Sequence, residues 1–206
     1  MGQQYFAEQP AARRRPGSVH VVTPDLHLEL ATDSGVFSPS RLDPGTRLLL
    51  DTAPPPPPDG NLLDLGSGYG PLALVLGARS PGAQVWAVDV NARARELCTA
   101  NAERAALANV RCAAPDDPAV PAAFRLIWSN PPIRIGKPAL HALLATWLAR
   151  LEPAAAAYLV VQRHLGSDSL QRWLESTGWP AERVAARSGY RVLQVQRMAG
   201  AAGGGR

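Results

Sequence analysis

Apolar and polar residues follow two alternating periodicities along most of the chain. Short apolar runs of strand length recur between segments whose apolar residues have helical spacing, and the connections between them are short. The expected strands cover residues 62–65, 84–89, 109–112, 126–128 and 156–162, with a closing pair at 183–186 and 190–195. The expected helices cover residues 71–79, 92–106, 138–151 and 167–177. This alternation predicts an α/β fold with a Rossmann-like, doubly wound, mostly parallel sheet and an antiparallel closing strand.

The segment that precedes this alternating region has a different pattern. Residues 19–22 and 26–30 flank a turn at residues 23–25. The second run alternates strictly, so the pair predicts a small N-terminal β-hairpin. Further on, Asp43 stands directly before Pro44. That pair is typical of a helix N-cap with proline in the first turn.

Composition divides the chain into four expected parts. Five consecutive prolines at 54–58 predict a stiff linker that can be neither helix nor central strand. The parts are a flexible basic arm (1–18), a segment of hairpin, helix and proline-rich linker (19–58), the main α/β domain (59–198) and a disordered tail (199–206). Residues 13–15 of the arm are all arginine, which suits contact with phosphates, and a solvated tail is the alternative interpretation.

The charge and the cysteine content exclude several classes of protein. The net charge is +4, and only Lys137 among the 21 basic residues is lysine. This charge permits a nucleic-acid partner without requiring one. No apolar run reaches the roughly 20 residues that span a bilayer, and no secretory signal is evident. Two cysteines, Cys98 and Cys112, are too few for a disulfide scaffold or a zinc site. We therefore expect a cytoplasmic protein without a metal.

Three glycines at alternate positions follow the first strand of the alternating region. They are Gly66, Gly68 and Gly70, and Asp64 precedes them. Glycine lets the backbone approach a ligand without a Cβ clash. The dinucleotide fingerprint requires G-x-G-x-x-G, and the third glycine here is misplaced for it. The spacing instead resembles motif I of class I S-adenosylmethionine-dependent methyltransferases, with a ligand-free tight turn as the alternative.

An acidic residue ends the next strand. Asp89 follows the apolar residues 85–88, and parallel strands place it beside the glycine turn. A carboxylate at this point can accept hydrogen bonds from both ribose hydroxyls of a nucleoside. The alternative is that Asp89 caps the helix that begins after it. We prefer the ribose role because the buried strand delivers Asp89 to the crevice.

The fourth strand is followed by Asn130, Pro131, Pro132 and Ile133. This segment resembles the N-P-P motif of methyltransferases that modify exocyclic base amines or glutamine amides. In that chemistry the Asn oxygen and the carbonyl of the next proline accept the two N–H bonds of the amine. The lone pair of the nitrogen is thereby directed at the methyl group for in-line transfer. A simple Asn-Pro turn is the alternative.

The residues around this motif raise two further questions. The family usually has an aromatic residue where this chain has Ile133, and aromatic stacking on a base is worth ~1–3 kcal/mol. Phe37 or Trp128 could substitute, although we expect Trp128 in the core. Arg134 and Lys137 follow directly and suit substrate phosphates, with a solvated loop as the equal alternative.

Together these segments resemble the bacterial small-subunit ribosomal RNA guanine-N2 methyltransferases, from about residue 5 to residue 197. Residues 35–38 and 43–50 resemble the segment that precedes motif I in that family, and residues 188–193 resemble its C-terminal segment. Well-studied members carry an additional N-terminal domain that aids rRNA binding. This chain has only the predicted hairpin there.

The resemblance implies roles for further residues. Asp64 would contact the methionine end of S-adenosylmethionine or its amine, and Asn91 would approach the adenosine. Phe37 would lie near the amine pocket. An acid that contacts adenine is expected after the third strand, where the loop offers Asp116 and Asp117 a few positions late.

The leading hypothesis is therefore an S-adenosylmethionine-dependent N-methyltransferase that acts on the exocyclic N2 of a guanine in ribosomal RNA. RNA is the expected partner, and a monomer is expected. A second hypothesis keeps the fold and the cofactor but takes a DNA adenine or a protein glutamine amide as substrate. A third is a non-catalytic RNA-binding assembly factor, against which the intact motif residues argue.

Overall fold

The computed structural model describes Glu8 and residues 12–197. The strands are β1 (Gly17–Val22), β2 (His27–Thr32), β3 (Asp59–Leu65), β4 (Gly82–Val88), β5 (Val110–Ala113), β6 (Phe124–Ser129), β7 (Leu151–Gln162), β8 (Ala181–Arg187) and β9 (Tyr190–Gln196). The helices are α1 (Pro44–Thr52), α2 (Pro71–Arg79), α3 (Ala92–Arg104), α4 (Lys137–Leu148) and α5 (Ser167–Ser176). Within this part of the chain, no helix has both the length and the apolar character that crossing a membrane requires.

Seven of the described strands form one mixed sheet in the order β5-β4-β3-β6-β7-β9-β8. The first five are parallel, β9 runs antiparallel to β7, and β8 runs antiparallel to β9. This arrangement confirms the predicted doubly wound sheet with an antiparallel closing strand. Successive side chains of β3 point to opposite faces of the sheet. Leu62 therefore packs with α1, α2 and α3, whereas Leu63 packs with α4 and α5. Helices on both faces explain why the parallel strands are almost continuously apolar.

One predicted helix boundary is wrong. The helix expected over residues 138–151 ends at Leu148, and Leu151 is the first residue of β7. Leu151 pairs with Phe124 of β6, and both side chains are fully buried. Pairing in the sheet therefore overrides the helical pattern that continues locally through Leu151.

The N-terminal hairpin forms as predicted and packs on the main fold. β1 and β2 pair antiparallel, and Val19, Val21 and Leu30 join the cluster of buried residues on the α3 side of the sheet. The side chain of Asn101 in α3 bonds the edge of the hairpin as a neighbouring strand would. Its Oδ1 accepts from the Ala31 N–H at 2.7 Å, and its Nδ2 donates to the Ala31 carbonyl at 3.0 Å.

The described part of the predicted N-terminal arm contacts this body. Arg14 donates to Glu96 of α3 at 2.7 Å, and the Glu8 carbonyl accepts from the Ala92 N–H at 2.9 Å. β1 also begins at Gly17, inside the range expected for the arm. The rest of the arm and the predicted tail over residues 199–206 lie outside the described residues.

Candidate active site

A cavity of about 460 Å³ opens at the carboxyl ends of β3, β4 and β6. The chain leaves β3 toward β4 on one side and returns to β6 on the other, so this point is the topological switch of the sheet. Ligands of open α/β sheets bind in such crevices. The lining contains residues that follow all three strands: Gly66, Gly68, Asp89, Asn91, Asn130 and Pro131. The structure therefore brings most of the predicted site residues together.

The glycine turn exposes its backbone to the cavity at Gly68. Gly66 and Gly68 have φ angles of 77° and 55°, in the left-handed region that glycine adopts without strain. No atom of the described chain lies within 4 Å of where a Cβ on Gly68 would stand. The Gly66 N–H is bonded to the Val88 carbonyl at 2.8 Å, which anchors the turn to β4. The open space beside Gly68 is what close approach of a ligand to the backbone requires.

Gly70 has a packing role instead of the predicted cofactor contact. It lines neither this cavity nor the smaller one beside it. A Cβ on Gly70 would stand 2.6 Å from Cys98 Sγ and 2.6 Å from Leu74 Cδ1, and the φ angle of Gly70 is 98°. The third glycine thus allows α3 to pack closely against the start of α2.

The carboxylate of Asp89 is held by backbone donors on both of its oxygens. Oδ2 accepts from the Gly68 N–H at 2.8 Å, and Oδ1 accepts from the Asn91 N–H at 2.8 Å. Each oxygen keeps a second lone pair for a ribose hydroxyl. Burial raises the pKa of Asp89, and the two backbone hydrogen bonds oppose that rise. Asp89 is not the cap of α3, because Asn91 holds that position and accepts from the Ala94 N–H.

Asn91 lines the cavity but uses its side chain within the protein. Its Oδ1 caps α3, and its Nδ2 donates to the Gly35 carbonyl at 2.8 Å. The residue therefore ties the segment before motif I to the start of α3 beside the cavity, and its amide is committed to that role. Neither Asp116 nor Asp117 lines the cavity, where Pro115 stands from the same loop.

Asp64 lines a second cavity of about 30 Å³ and has one carboxyl oxygen without a hydrogen-bond partner among the described residues. Its side chain is buried, and Oδ2 accepts from the Ala73 N–H at 2.9 Å. Oδ1 has no hydrogen-bond partner within the described residues, and neither has the buried hydroxyl of Ser67 beside it. Burial raises the pKa of Asp64 to about 8. Two orphaned polar atoms in one small cavity fit a polar ligand group such as the ammonium of a methionine moiety. Ser67 was not predicted, since a hydroxyl within a glycine turn has no distinctive pattern.

The amide of Asn130 is bonded from one side only. Its Nδ2 donates to Asp43 Oδ1 at 2.8 Å and to Thr46 Oγ1 at 3.0 Å. All three residues line the 30 Å³ cavity, and Asn130 and Asp43 also line the larger one. Asp43 is the predicted N-cap of α1, and it accepts from the Gly45 and Thr46 N–H groups. Its second role beside Asn130 was missed, because only the fold brings residues 87 positions apart together.

The two prolines after Asn130 form an inverse γ-turn. Pro132 has φ −75° and ψ 71°, and the Ile133 N–H donates to the Pro131 carbonyl at 2.8 Å. The Pro131 carbonyl thus takes part in a turn and not in a helix. One of its two lone pairs remains for a substrate N–H. Ile133 packs partly against the core and also lines the cavity.

Two aromatic side chains line the larger cavity. Phe37 is 46% exposed there, whereas Trp128 is fully buried in the core, as expected. Tyr190 is the second one and was missed. It is the first residue of β9 and pairs with Gln162, the last residue of β7, so the antiparallel strand returns it to the site. Burial and the Asp43 carboxylate raise the pKa of Tyr190.

The two predicted basic site residues differ in position. Arg134 lines the larger cavity, and Lys137, the exposed first residue of α4, does not. Within the described part of the chain, no three His, Cys, Asp or Glu side chains are arranged to hold a metal ion.

Comparison with known protein families shows which family the chain resembles. The model of the methyltransferase small domain matches residues 27–194, which is most of the chain. The chain belongs to this family. The matched region includes β2, α1 and the sheet as far as residue 194 in β9, so the second hairpin strand and the Asp43 segment are part of the family unit. Membership confirms the predicted class I methyltransferase and its cofactor, S-adenosylmethionine.

Several relatives resemble this methyltransferase small domain protein over most of its length. The uncharacterized protein YbxB of Bacillus subtilis is 31% identical over 203 residues, covering 96% of this chain and all of YbxB. The ribosomal RNA small subunit methyltransferase C of Aeromonas hydrophila is 36% identical over 126 residues, covering 61% of this chain and 36% of that enzyme. The match thus spans well under half the length of that enzyme.

Solved structures share the fold. The T. thermophilus 16S rRNA N2 G1207 methyltransferase RsmC, solved in complex with AdoMet and guanosine, superposes with a TM-score of 0.71 and 24% identity. The match covers 91% of this chain and 52% of that one. A methyltransferase from Pyrococcus furiosus matches 68% of this chain with a TM-score of 0.57 and 20% identity.

Proposed function

We propose that this methyltransferase methylates the exocyclic N2 of a guanine in small-subunit ribosomal RNA. The observation that carries the proposal is the one-sided bonding of Asn130, whose Nδ2 is used within the protein while its residue lines the larger cavity. The amide oxygen is thereby available to an amine N–H. Relatives named as small-subunit rRNA methyltransferases, among them the Aeromonas enzyme, support the same substrate class.

The residues around the amine position it for transfer. Asn130 Oδ1 and the remaining lone pair of the Pro131 carbonyl accept the two N–H bonds of N2. Fixing both bonds turns the nitrogen lone pair away from them and toward the methyl group. S-adenosylmethionine supplies that methyl group in electrophilic form, on a positively charged sulfur. With the cofactor bound, the nitrogen held by Asn130 and Pro131 would form the new C–N bond as the C–S bond breaks, and the surplus proton of the amine would leave to solvent.

The cofactor end of the site follows from the same geometry. Asp89 binds the ribose hydroxyls, Gly68 gives the backbone access to the ligand, and Asp64 with Ser67 receives the methionine end. Asn91 lies on the adenosine side of the site, but its amide is hydrogen-bonded within the protein and does not bind the ligand. Gly66 lines the crevice between this end and the Asn130 segment.

Aromatic side chains compensate for the aliphatic residue at position 133. Phe37 and Tyr190 both line the cavity that contains Asn130, so either ring can provide a face for a planar base. Gln162, which lines the same cavity next to Tyr190, carries a donor and an acceptor that suit the edge of a guanine.

Three arginines that line the cavity or are close in the chain to residues that line it, here called the arginines of the cavity mouth, suit a polyanion better than a protein amide. Arg134 lines the cavity, Arg41 lies in the segment between Pro39 and Asp43, and Arg163 directly follows Gln162. All three arginines are exposed, and none forms an ion pair with another described residue. Unpaired arginines are the groups that contact phosphates in RNA complexes.

Nucleoside mass spectrometry tests the proposal. Small-subunit rRNA from cells that lack the protein should contain less N2-methylguanosine, and purified protein with S-adenosylmethionine should restore it. The Asn130→Ala variant should bind the cofactor as the wild type does and restore nothing. An unchanged level of N2-methylguanosine in the deletion strain removes rRNA guanine as the substrate. A gain of N6-methyladenine or methylglutamine with purified protein would move the proposal to those amines.

A further inference from the structure

We infer that Asp43 is a positioning residue that sets the orientation and the polarity of the Asn130 amide. The inference rests on the proposed role of Asn130 as the acceptor for the substrate amine. It explains how Asn130 is held for that role, through a hydrogen bond between Asp43, the N-cap of α1, and Asn130, which follows β6. Neither the amine-binding motif nor the N-cap pattern implies this contact.

Hydrogen bonding decides which end of the amide faces the cavity. Asp43 Oδ1 is a carboxylate oxygen, which can only accept, so the group 2.8 Å from it must be the NH₂ of Asn130. Thr46 Oγ1 accepts the second hydrogen at 3.0 Å. Both amide hydrogens are therefore used, and a rotation that exchanged N and O would place two acceptors against each other. The amide oxygen consequently points away from α1.

Asp43 is itself held in place by the start of α1. The same Oδ1 accepts from the Gly45 N–H at 2.8 Å and from the Thr46 N–H at 3.0 Å. Asp43 is 8% exposed, and a Cβ on Gly45 would stand 2.6 Å from the Tyr190 ring. Backbone donors and the helix dipole both favour a negative charge at this point. One oxygen that accepts three hydrogen bonds is a rigid anchor for the amide.

The charge of Asp43 adds to the effect of its position. A carboxylate that accepts from an amide N–H polarises that amide and makes the amide oxygen a stronger acceptor. The chain of contacts then runs from Asp43 through Asn130 to the N–H of the substrate amine. Loss of the anchor should lower kcat more than it changes KM for RNA or the cofactor affinity.

Three substitutions distinguish the effects of helix capping by Asp43, of the hydrogen bonds that hold the Asn130 amide, and of the charge of Asp43. Asp43→Ser keeps a good N-cap but is too short to reach Asn130, so kcat should fall by about 10–100-fold. Asp43→Asn keeps an acceptor oxygen without the charge, so kcat should fall less, by about 3–10-fold. Thr46→Val removes only the second acceptor. Its matched control is Thr52→Val in the same helix, where the hydroxyl bonds to the Leu48 carbonyl outside both cavities.

Nuclear magnetic resonance tests the contact without any substrate. The side-chain NH₂ signals of Asn130, assigned by their loss in Asn130→Ala, should be shifted and slow to exchange with solvent in the wild type. In Asp43→Ser they should move to the position of free amides. Wild-type signals that already match free amides would overturn the inference. So would wild-type kcat in a folded Asp43→Ser variant.

The two proposals fail in different ways. If the resonance shift depends on Asp43 but no guanine in rRNA is methylated, the contact stands and the proposed substrate is wrong. If guanine is methylated and every Asp43 and Thr46 variant works at the wild-type rate, the substrate stands and the positioning role is wrong.

Discussion

The carboxylate of Asp89 and the backbone N–H of Gly68 are joined by a hydrogen bond of 2.8 Å between Oδ2 and N. The bond connects the carboxyl ends of β3 and β4, so the acid that we propose as the ribose ligand also fixes the conformation of the glycine turn. A change at Asp89 should therefore affect both the proposed ribose contact and the shape of the turn.

Replacement of Asp89 by Asn should weaken cofactor binding strongly. An amide has only one acceptor oxygen, so its NH₂ would face either the Gly68 or the Asn91 N–H, donor against donor. Loss of a hydrogen bond to a charged group costs about 1.5–3 kcal/mol, which corresponds to roughly 10–100-fold in dissociation constant. Calorimetry with S-adenosylmethionine measures the change. Asp116→Asn, an exposed acid outside the cavity, should bind as the wild type does, and equal weakening in both variants would contradict the ribose role.

Cofactor affinity should rise with pH up to about 8 because of Asp64. Burial keeps this carboxyl protonated below a pKa of about 8 in the cofactor-free protein. A ligand ammonium prefers the carboxylate, so binding at pH 7 should release a proton. Calorimetry in two buffers of different ionisation enthalpy measures the release. Asp64→Asn should bind more weakly and release none, and proton release that persists in this variant would assign the linkage to another group.

The raised pKa of Asp64 also predicts how the stability of the folded protein depends on pH. The folded-state pKa of about 8 lies above the ordinary value of about 3.9, so the stability contributed by the proton on Asp64 is complete below pH ~4 and is lost as the pH rises through 8. Asp64→Asn should therefore unfold at a higher temperature than the wild type near pH 8, measured without cofactor. The difference should shrink toward pH 4.

Two glycines of the turn should respond differently to alanine. Gly68→Ala should fold, since nothing lies within 4 Å of the new Cβ, but cofactor binding should fall by about tenfold or more because the methyl group occupies ligand space. Gly70→Ala should destabilise the protein by about 1–3 kcal/mol, since its Cβ overlaps Cys98 and Leu74. Thermal unfolding and calorimetry separate the two effects.

The control for these glycine variants is Gly178→Ala. Gly178 has a similar positive φ of 85°, lies in open space after α5 and does not line the cavities. It should show the cost of backbone strain alone. Normal cofactor binding by Gly68→Ala would exclude close ligand approach at that position.

Neutralising the arginines at the cavity mouth should weaken RNA binding without affecting the cofactor. Arg134→Gln and Arg163→Gln should each raise KM for RNA and lower the salt dependence of RNA binding by about one released counterion. Filter binding at several salt concentrations gives this slope. Arg172→Gln, an exposed arginine on α5 that does not line the cavities, is the matched control. An unchanged slope in both mouth variants would contradict the proposed phosphate contacts.

Local chemistry made much of the site predictable. The glycine turn after β3, Asp89 after β4 and Asn130 after β6 all follow buried strands, and parallel strands necessarily bring their carboxyl ends to one edge. Turn residues and strand periodicity depend on near neighbours in the chain, so they can be recognised without coordinates. The fold class followed from them, and the cofactor followed from the resemblance of the glycine spacing to motif I of class I methyltransferases.

Contacts between distant parts of the chain were decided by the tertiary structure. Asp43 reaches Asn130 because the α1 segment packs beside the end of β6, and Tyr190 enters the cavity because β9 runs antiparallel to β7. Gly70 was predicted to contact the cofactor, but it lies outside both cavities because α3 packs against it. Hydrophobic period and turn chemistry are local, so the order of amino acids alone shows which residues end the parallel strands. The partners of those residues depended on packing between elements far apart in the chain, and only the folded structure specifies that packing.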